Sequence, residues 1–458
     1  MNEYDEIFSR GVATFIDPEG IFRKKVEAKA LGAYEGEVVI KFGVDPTRPD
    51  IHLGHAVVLR KLRTLQDLGC KVIFLIGDYT SQIGDPTGKS KVRPEISQQE
   101  IEANMKTYLE QVGKILRTDE SVFSWIRNSE WFLDVTDLTA DEAAVVTIND
   151  IENKNSVSVS ANSFIGKAAL FESSRMQKTH LGRSNISTVS FSRVLSTLRH
   201  VTHARLIERD MFQDRITGGT ELYMHEMLYP VIQGIDSAIL AGIYGSCDLE
   251  IGGSDQTFNM LMGRDVMKMN GQEMQAVMSM EIIEGLDGKE KMSKSLDNYV
   301  SITDEAADMY GKIMSIPDSV IGRYFLLATY TPVDEVKKIE QDLENNKIHP
   351  KEIKMRLAKE IVAIYHGDAA AQEAEDAFDN TFAKGKIPED VPEIAMSEGT
   401  IVDALITAVC AESKSEARRL IEQGAVTHLE SDEKITDTAT AIQKGTYRVG
   451  KHRFFKVM

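Results

Sequence analysis

The hydrophobic positions of this chain change period several times, and the changes mark its elements. Residues 38–45, VVIKFGVD, are rich in β-formers and run into the turn-prone DPTRPD. Apolar residues then recur with a helical period from about Gly54 to Leu68. The segment 71–78, KVIFLIGD, is a nearly continuous apolar run ending in a glycine loop. Such runs belong to strands buried on both faces, as in parallel sheets. Strand, glycine-bearing loop, helix and strand in this order predict a Rossmann-like, doubly wound α/β sheet. Its ligands would bind beyond the carboxyl ends of the strands.

Farther along, residues 303–384 hold few glycines and many Ala, Glu, Lys and Leu, which predicts a helical domain. Residues 385–398 contain Pro388, Pro392 and a cluster of acids, and read as an exposed linker. The last segment, 399–458, reads as a small α+β domain. Ser413 and Glu416 have capping-box spacing, the helix they start continues through ARRLIEQ, and Gly424 stops it. Alternating, strand-like residues follow to the end. One stretch, about 135–186, fits none of these patterns, and its middle, NKNSVSVSANS, is polar.

A length of 458 residues suits several domains, and 42% apolar residues suffice for a sizeable core. The net charge of −18 argues against a general nucleic-acid binder, but its distribution is uneven. Residues 399–458 hold nine basic residues against eight acidic ones, and beyond Asp437 five basic residues and no acid. Lys414, Arg418 and Arg419 cluster on one predicted helix. This tail is therefore the place where a polyanion could dock, the alternative being a merely solvated basic face. Cys70, Cys247 and Cys410 are too far apart for a zinc motif and odd in number, as expected of reduced thiols. The charged start lacks the pattern of a signal peptide, and no apolar run reaches membrane-spanning length, so a cytoplasmic protein is expected.

Two motifs carry chemistry. His52-Leu-Gly54-His55 follows Asp45-Pro-Thr47 where a strand-end loop enters a helix. Helix N-termini present unpaired N–H groups and the positive end of a dipole, and two imidazoles add donors there. Gly54 permits close approach of an adenine ring or a phosphate. The motif suits ATP. Lys291-Met-Ser-Lys294-Ser295, preceded by GLDGKE, forms a cationic loop able to close on pyrophosphate as charge develops. Gly84 to Ser90 imitates a phosphate-binding loop, but the required glycine would fall at Ile83, which excludes it. Asp85 as an acceptor and Lys89 as a cation remain. Tyr229, Gln233 and Asp236 lie at i, i+4 and i+7 and so share one helical face, which Pro230 either begins or bends.

With DPTRPDIHLGH, IGDPTGKS, IGGSDQ at 251–256, GLDGKEKMSKSLDN and the Y-x3-Q-x2-D of 229–236, the chain resembles the class I aminoacyl-tRNA synthetases, and among them the tyrosyl family. The resemblance spans about 1–131 and 187–458. It implies a catalytic domain over 1–302, a tRNA-binding helical domain over 303–384, and a tail like an RNA-binding fold found in a ribosomal protein. It also implies a homodimer that uses ATP with Mg2+, holds no resident metal, and esterifies tRNA(Tyr) with L-tyrosine. Carried over residue by residue, Thr47, His52 and His55 meet the outer phosphates. Lys89, Arg93, Lys291 and Lys294 hold pyrophosphate, and Gly253 and Asp255 the ribose. Asp85, Tyr229 and Gln233 meet the substrate amino group, Gln256 its carboxylate, and Asp236 its phenol. Lys414, Arg418, Arg419, Lys451 and Arg453 face tRNA.

Two departures stand out. Lys41, expected among the tyrosine-binding residues, occupies the position where the best-known branch has a tyrosine that also contacts the phenol, which leaves that second hydroxyl contact open. Residues of about 135–186 form an insertion between NSEW at 128–131 and the next matching segment. The tryptophanyl family shares the fold and both motifs, but Asp236 and the tail favour the tyrosyl one. A non-catalytic RNA-binding relative is disfavoured by the intact His52, His55, Lys291 and Lys294.

Overall fold

The computed structural model describes residues 3–85, 98–132, 145–150, 155–160, 189, 191–207, 210–382, 391–396, 399–411, 413–431, 433–450 and 453–458. It divides into two compact units. One comprises Met1–Glu305 with Lys312–Tyr365, the other Ala306–Gly311 with His366–Met458.

The first unit is built on strands β1 (Val12–Ile16), β2 (Val39–Val44), β3 (Lys71–Ile76) and β4 (Phe123–Arg127), and, after a separate antiparallel hairpin β5 (Val145–Asp150) and β6 (Asn155–Ser160), on β7 (Leu249–Gly253) and β8 (Ala276–Met280). The six-stranded sheet runs β1-β8-β7-β2-β3-β4. Only the edge strand β1 is antiparallel to its neighbour. The continuous apolar sequence of β3 has its cause in this arrangement, because parallel partners on both sides and layers on both faces leave its residues from Val72 to Ile76 buried. Between β7 and β2 the strand order reverses, which opens a crevice at their carboxyl ends. In register there, Lys41 of β2 lies opposite Glu250 of β7.

The helix Met224–Tyr244 covers one face, its Val231, Ile235 and Leu240 packing with Ile73, Leu75, Trp131 and Val266. By length and composition this helix could cross a membrane, yet its apolar side is largely spent on that core. Pro230 lies inside it rather than at its start.

Helices occupy Ala306–Ser315, Ile321–Ala328, Val333–Glu344, Pro350–His366 and Asp368–Phe382. The second unit ends in a sheet of order β11-β10-β12-β13-β9, with β9 (Glu393–Ile394), β10 (Val426–His428), β11 (Glu433–Ile435), β12 (Gly445–Val449) and β13 (Arg453–Val457). Ser413 caps the helix Lys414–Glu422 by accepting from the Glu416 N–H at 3.2 Å, and Gly424 follows with φ 67°. Leu405, Ile421, Val426, Tyr447 and Phe455 form this unit's own core.

Candidate active site

The helix Leu53–Asp67 begins where the loop after β2 ends, and His52 is its N-cap. His52 Nδ1 accepts from the Gly54 N–H at 3.1 Å, while the His52 N–H donates to His55 Nδ1 at 3.3 Å. A Cβ at residue 54 would stand 2.9 Å from the His52 ring, so the neighbouring imidazole itself requires the glycine. The ring centroids lie 4.0 Å apart. Burial, reinforced by Lys294 and Lys291, holds both imidazoles far below their usual range, His55 at about 3. Both are neutral, and with Nδ1 accepting, each carries its proton on Nε2. In that state each can donate a hydrogen bond through Nε2.

The lysine loop faces them. The Ser293 N–H donates to Asn298 Oδ1 at 2.8 Å, and Asn298 Nδ2 donates to the Lys291 carbonyl at 3.2 Å, which staples the loop. Lys291 Nζ stands 3.1 Å from Asp255. Lys294 donates to the Asp50 carbonyl and lies 5.5 Å above the Tyr108 ring. Burial lowers Lys294 to about 8 despite the opposing charge of Asp50, and Arg48 adds to the fall.

At the other end, Asp236 is buried and accepts from Trp131 Nε1 at 2.8 Å and Asn128 Nδ2 at 3.4 Å. Burial raises its carboxyl to about 7 against the lowering effect of Lys41, Trp131 and Asn128. Tyr229 donates to Asp45 at 2.8 Å, and Thr80 donates to the other oxygen of Asp45 at 2.8 Å. Gln256 Nε2 donates to Asp85 at 2.6 Å. Lys41, fully buried, directs its ammonium to Glu250 at 2.9 Å, the Ser237 hydroxyl at 2.9 Å and the Gln233 carbonyl at 2.8 Å.

These groups line one cleft of about 1090 Å³ that holds Thr47, His52, Gly54 and His55, then Gly253, Asp255, Lys291 and Lys294, and also Lys41, Asp85, Tyr229, Gln233, Asp236 and Gln256. Lys89, Arg93 and Lys451 lie outside the described residues, as does most of the 135–186 stretch. In the other unit Arg418 and Arg419 are exposed, Lys414 pairs with Asp403 at 3.0 Å, and Arg453 donates to the Cys410 carbonyl. Sequence reasoning missed Asp45, Asn128, Trp131, Glu250 and Asn259. For Glu250 a signal was present: opposite charges interrupt two apolar strands, VVIKFGV and LEIGG.

Residues 33–172 and 167–383 match the family model of class I tRNA synthetases (W and Y), and residues 383–455 match that of the C-terminal domain of SYY-like tyrosine–tRNA ligases. The tyrosine–tRNA ligase of Francisella tularensis subsp. tularensis is 38% identical over 100% of this chain and 99% of its own length. The chain belongs to the tyrosine–tRNA ligase family of class I synthetases. The enzyme of that name from Moorella thermoacetica is also 38% identical, over 98% of this chain and 94% of the relative. The C-terminally truncated mitochondrial tyrosyl-tRNA synthetase of Aspergillus nidulans, 20% identical, covers 82% of this chain and 93% of its own with a TM-score of 0.56, a likeness of fold.

Proposed function

We infer that the protein activates L-tyrosine with ATP, releasing pyrophosphate, and passes the tyrosyl group to the 3′ end of tRNA(Tyr). The tyrosine carboxylate attacks the α-phosphate. A terminal ribose hydroxyl of tRNA then attacks the adenylate carbonyl. Catalysis is positioning and charge stabilisation, with no covalent enzyme intermediate. The observation that carries this reading is a buried carboxylate, Asp236, in the same cleft as the neutral pair His52 and His55.

In this reading the phenol hydroxyl donates to Asp236, while Tyr229, Gln233 and Asp85 receive the amino group and Gln256 the carboxylate. Gly253 and Asp255 hold the ribose. Thr47, His52 and His55 donate to the outer phosphates, and Lys291 and Lys294, with Lys89 and Arg93, carry the departing diphosphate. Mg2+ enters with the nucleotide, as the family resemblance implies. The basic face of residues 399–458 takes tRNA, and the enzyme works as a cytoplasmic homodimer, as the family resemblance implies.

Amino-acid-dependent ATP–pyrophosphate exchange tests the reading. Tyrosine alone should drive exchange. Exchange driven by tryptophan and not tyrosine would overturn the specificity.

A further inference from the structure

We propose that the buried ion pair Lys41–Glu250 is a positioning device that fixes the hydrogen-bond polarity of Gln233 at the amino-acid end of the cleft. The proposal rests on the tyrosine-activating reading above and assigns the pair a role in it.

The two residues face each other in register on β2 and β7, with Nζ and Oε1 2.9 Å apart and both side chains almost wholly buried. A carboxylate paired with an ammonium only accepts hydrogen bonds. Glu250 Oε1 therefore forces Gln233 to present its Nε2, which it does at 3.0 Å. Gln233 Oε1 must then face the other way, where Asn259 Nδ2 donates to it at 3.0 Å. The same Nδ2 group donates to Gln256 Oε1 at 3.0 Å, so Gln256 turns its Nε2 to Asp85 at 2.6 Å. A side-chain amide alone has no preferred direction in such a chain, since either end can point either way. Carboxylates at both ends, Glu250 on Gln233 and Asp85 on Gln256, remove the choice, and Glu250 is the one that directs Gln233. Gln233 and Gln256 are the residues read here as the amino and carboxylate partners of the substrate.

The other oxygen, Oε2, is held by the Ser237 hydroxyl at 3.2 Å and by Gln275 Nε2. Gly263 backs this cluster: a Cβ there would come within 3.0 Å of Oε2 and closer still to Gln275 Nε2 and the Ser237 hydroxyl, so the cluster requires a glycine at that position. Lys41 is equally spent, on Glu250, Ser237 and the Gln233 carbonyl. Its ammonium thus acts through Glu250 and not by touching the phenol ring.

The test uses the full chain and tyrosine-dependent ATP–pyrophosphate exchange. Lys41→Met leaves a buried carboxylate without its counter-ion and should destabilise. Lys41→Met combined with Glu250→Gln replaces the pair by a neutral one and should restore Tm. We expect the double variant to lose about tenfold or more in kcat/KM for tyrosine, and the same factor for phenylalanine, because both carry the same amino and carboxylate groups. KM for ATP should stay within about twofold. A double variant that recovers both Tm and full tyrosine activation would reduce the pair to a structural one and overturn the proposal. Because Lys41 also lowers the Asp236 carboxyl, the tyrosine-to-phenylalanine ratio is compared at about pH 9, where Asp236 is ionised; a collapse there would overturn the proposal too, by placing Lys41 on the hydroxyl. A crystal structure of the unmodified protein with tyrosine bound tests the same point without a variant. Lys41 Nζ should remain on Glu250, and finding it on the tyrosine hydroxyl would overturn the proposal. Absence of tyrosine-dependent exchange in the unmodified protein would instead remove the reading beneath it.

Discussion

The indole N–H of Trp131 donates to the carboxylate of Asp236 at 2.8 Å, and both side chains are buried. A carboxylate has about four lone-pair sites, so acceptor capacity remains for an incoming hydroxyl. Burial raises this carboxyl to about 7 in the unliganded protein. Below that pH the acceptor is protonated, so KM for tyrosine should rise as pH falls through about 7, while activation of phenylalanine stays flat. Above it, a buried charge is carried at a cost. The folded carboxyl holds its proton more tightly than the unfolded one, so this residue's contribution to stability falls as pH rises from the ordinary carboxylate range to about 7. Asp236→Asn should therefore raise Tm at pH 8 while weakening tyrosine binding; a lowered Tm would contradict the cost assigned to the buried charge.

The two imidazoles give the opposite sign. Both are neutral when folded and charge more readily when unfolded, so the stability they confer is complete above about pH 6.5 and is lost as pH falls from there, for His55 toward about 3. Acid unfolding followed by circular dichroism should begin at lower pH in His55→Gln. At saturating tyrosine, where the Asp236 effect on KM is removed, single-turnover adenylate formation should show no titration near 6.5. His52→Ala should slow it by about 100-fold, with His52→Asn, which keeps a donor, intermediate.

Lys294 must be charged to hold a leaving diphosphate, and its burial brings it to about 8 before ATP binds. A plot of kcat/KM for ATP against pH should fall above about 8, since that parameter reports the free enzyme. Lys294→Arg should abolish the fall, because guanidinium stays charged. An unchanged profile in the arginine variant would assign the ionisation to another group.

Residues 394–457 carry a core of their own, so removing residues 399–458 takes that core away without opening the one behind the six-stranded sheet. Adenylate formation should persist in the truncated protein, whereas tRNA charging should fall by at least about tenfold as phosphate contacts are lost. Equal charging would refute the role given to the tail.

Much of this was legible in the chain. The apolar run of β3 announces a parallel sheet because burial on both faces leaves no polar side. HxGH and the lysine pentapeptide are local, and local motifs survive in sequence. The Y-x3-Q-x2-D spacing is one helical face and needs only a period. Asp45, Asn128, Trp131 and Asn259 were not legible, since each acts on a partner between 26 and 184 residues away. Lys41 shows the difference most clearly. Its sequence position suggested a substrate contact, and it lines the cleft; the register of β2 against β7, which no local pattern reveals, supplies a carboxylate 2.9 Å from its ammonium.

Recognition of a hydroxyl by Asp236 is the centre of the proposed function, and the tyrosine-to-phenylalanine ratio of kcat/KM in pyrophosphate exchange measures it directly. Tyrosyl-tRNA synthetases are themselves the standard illustration of how strongly a site built for a hydroxyl rejects the ring that lacks it. The unmodified protein should prefer tyrosine by a large factor, and Asp236→Ala should cut the ratio by at least about 100-fold, mainly through tyrosine. A ratio that survives the loss of this carboxylate would contradict the assignment of the cleft.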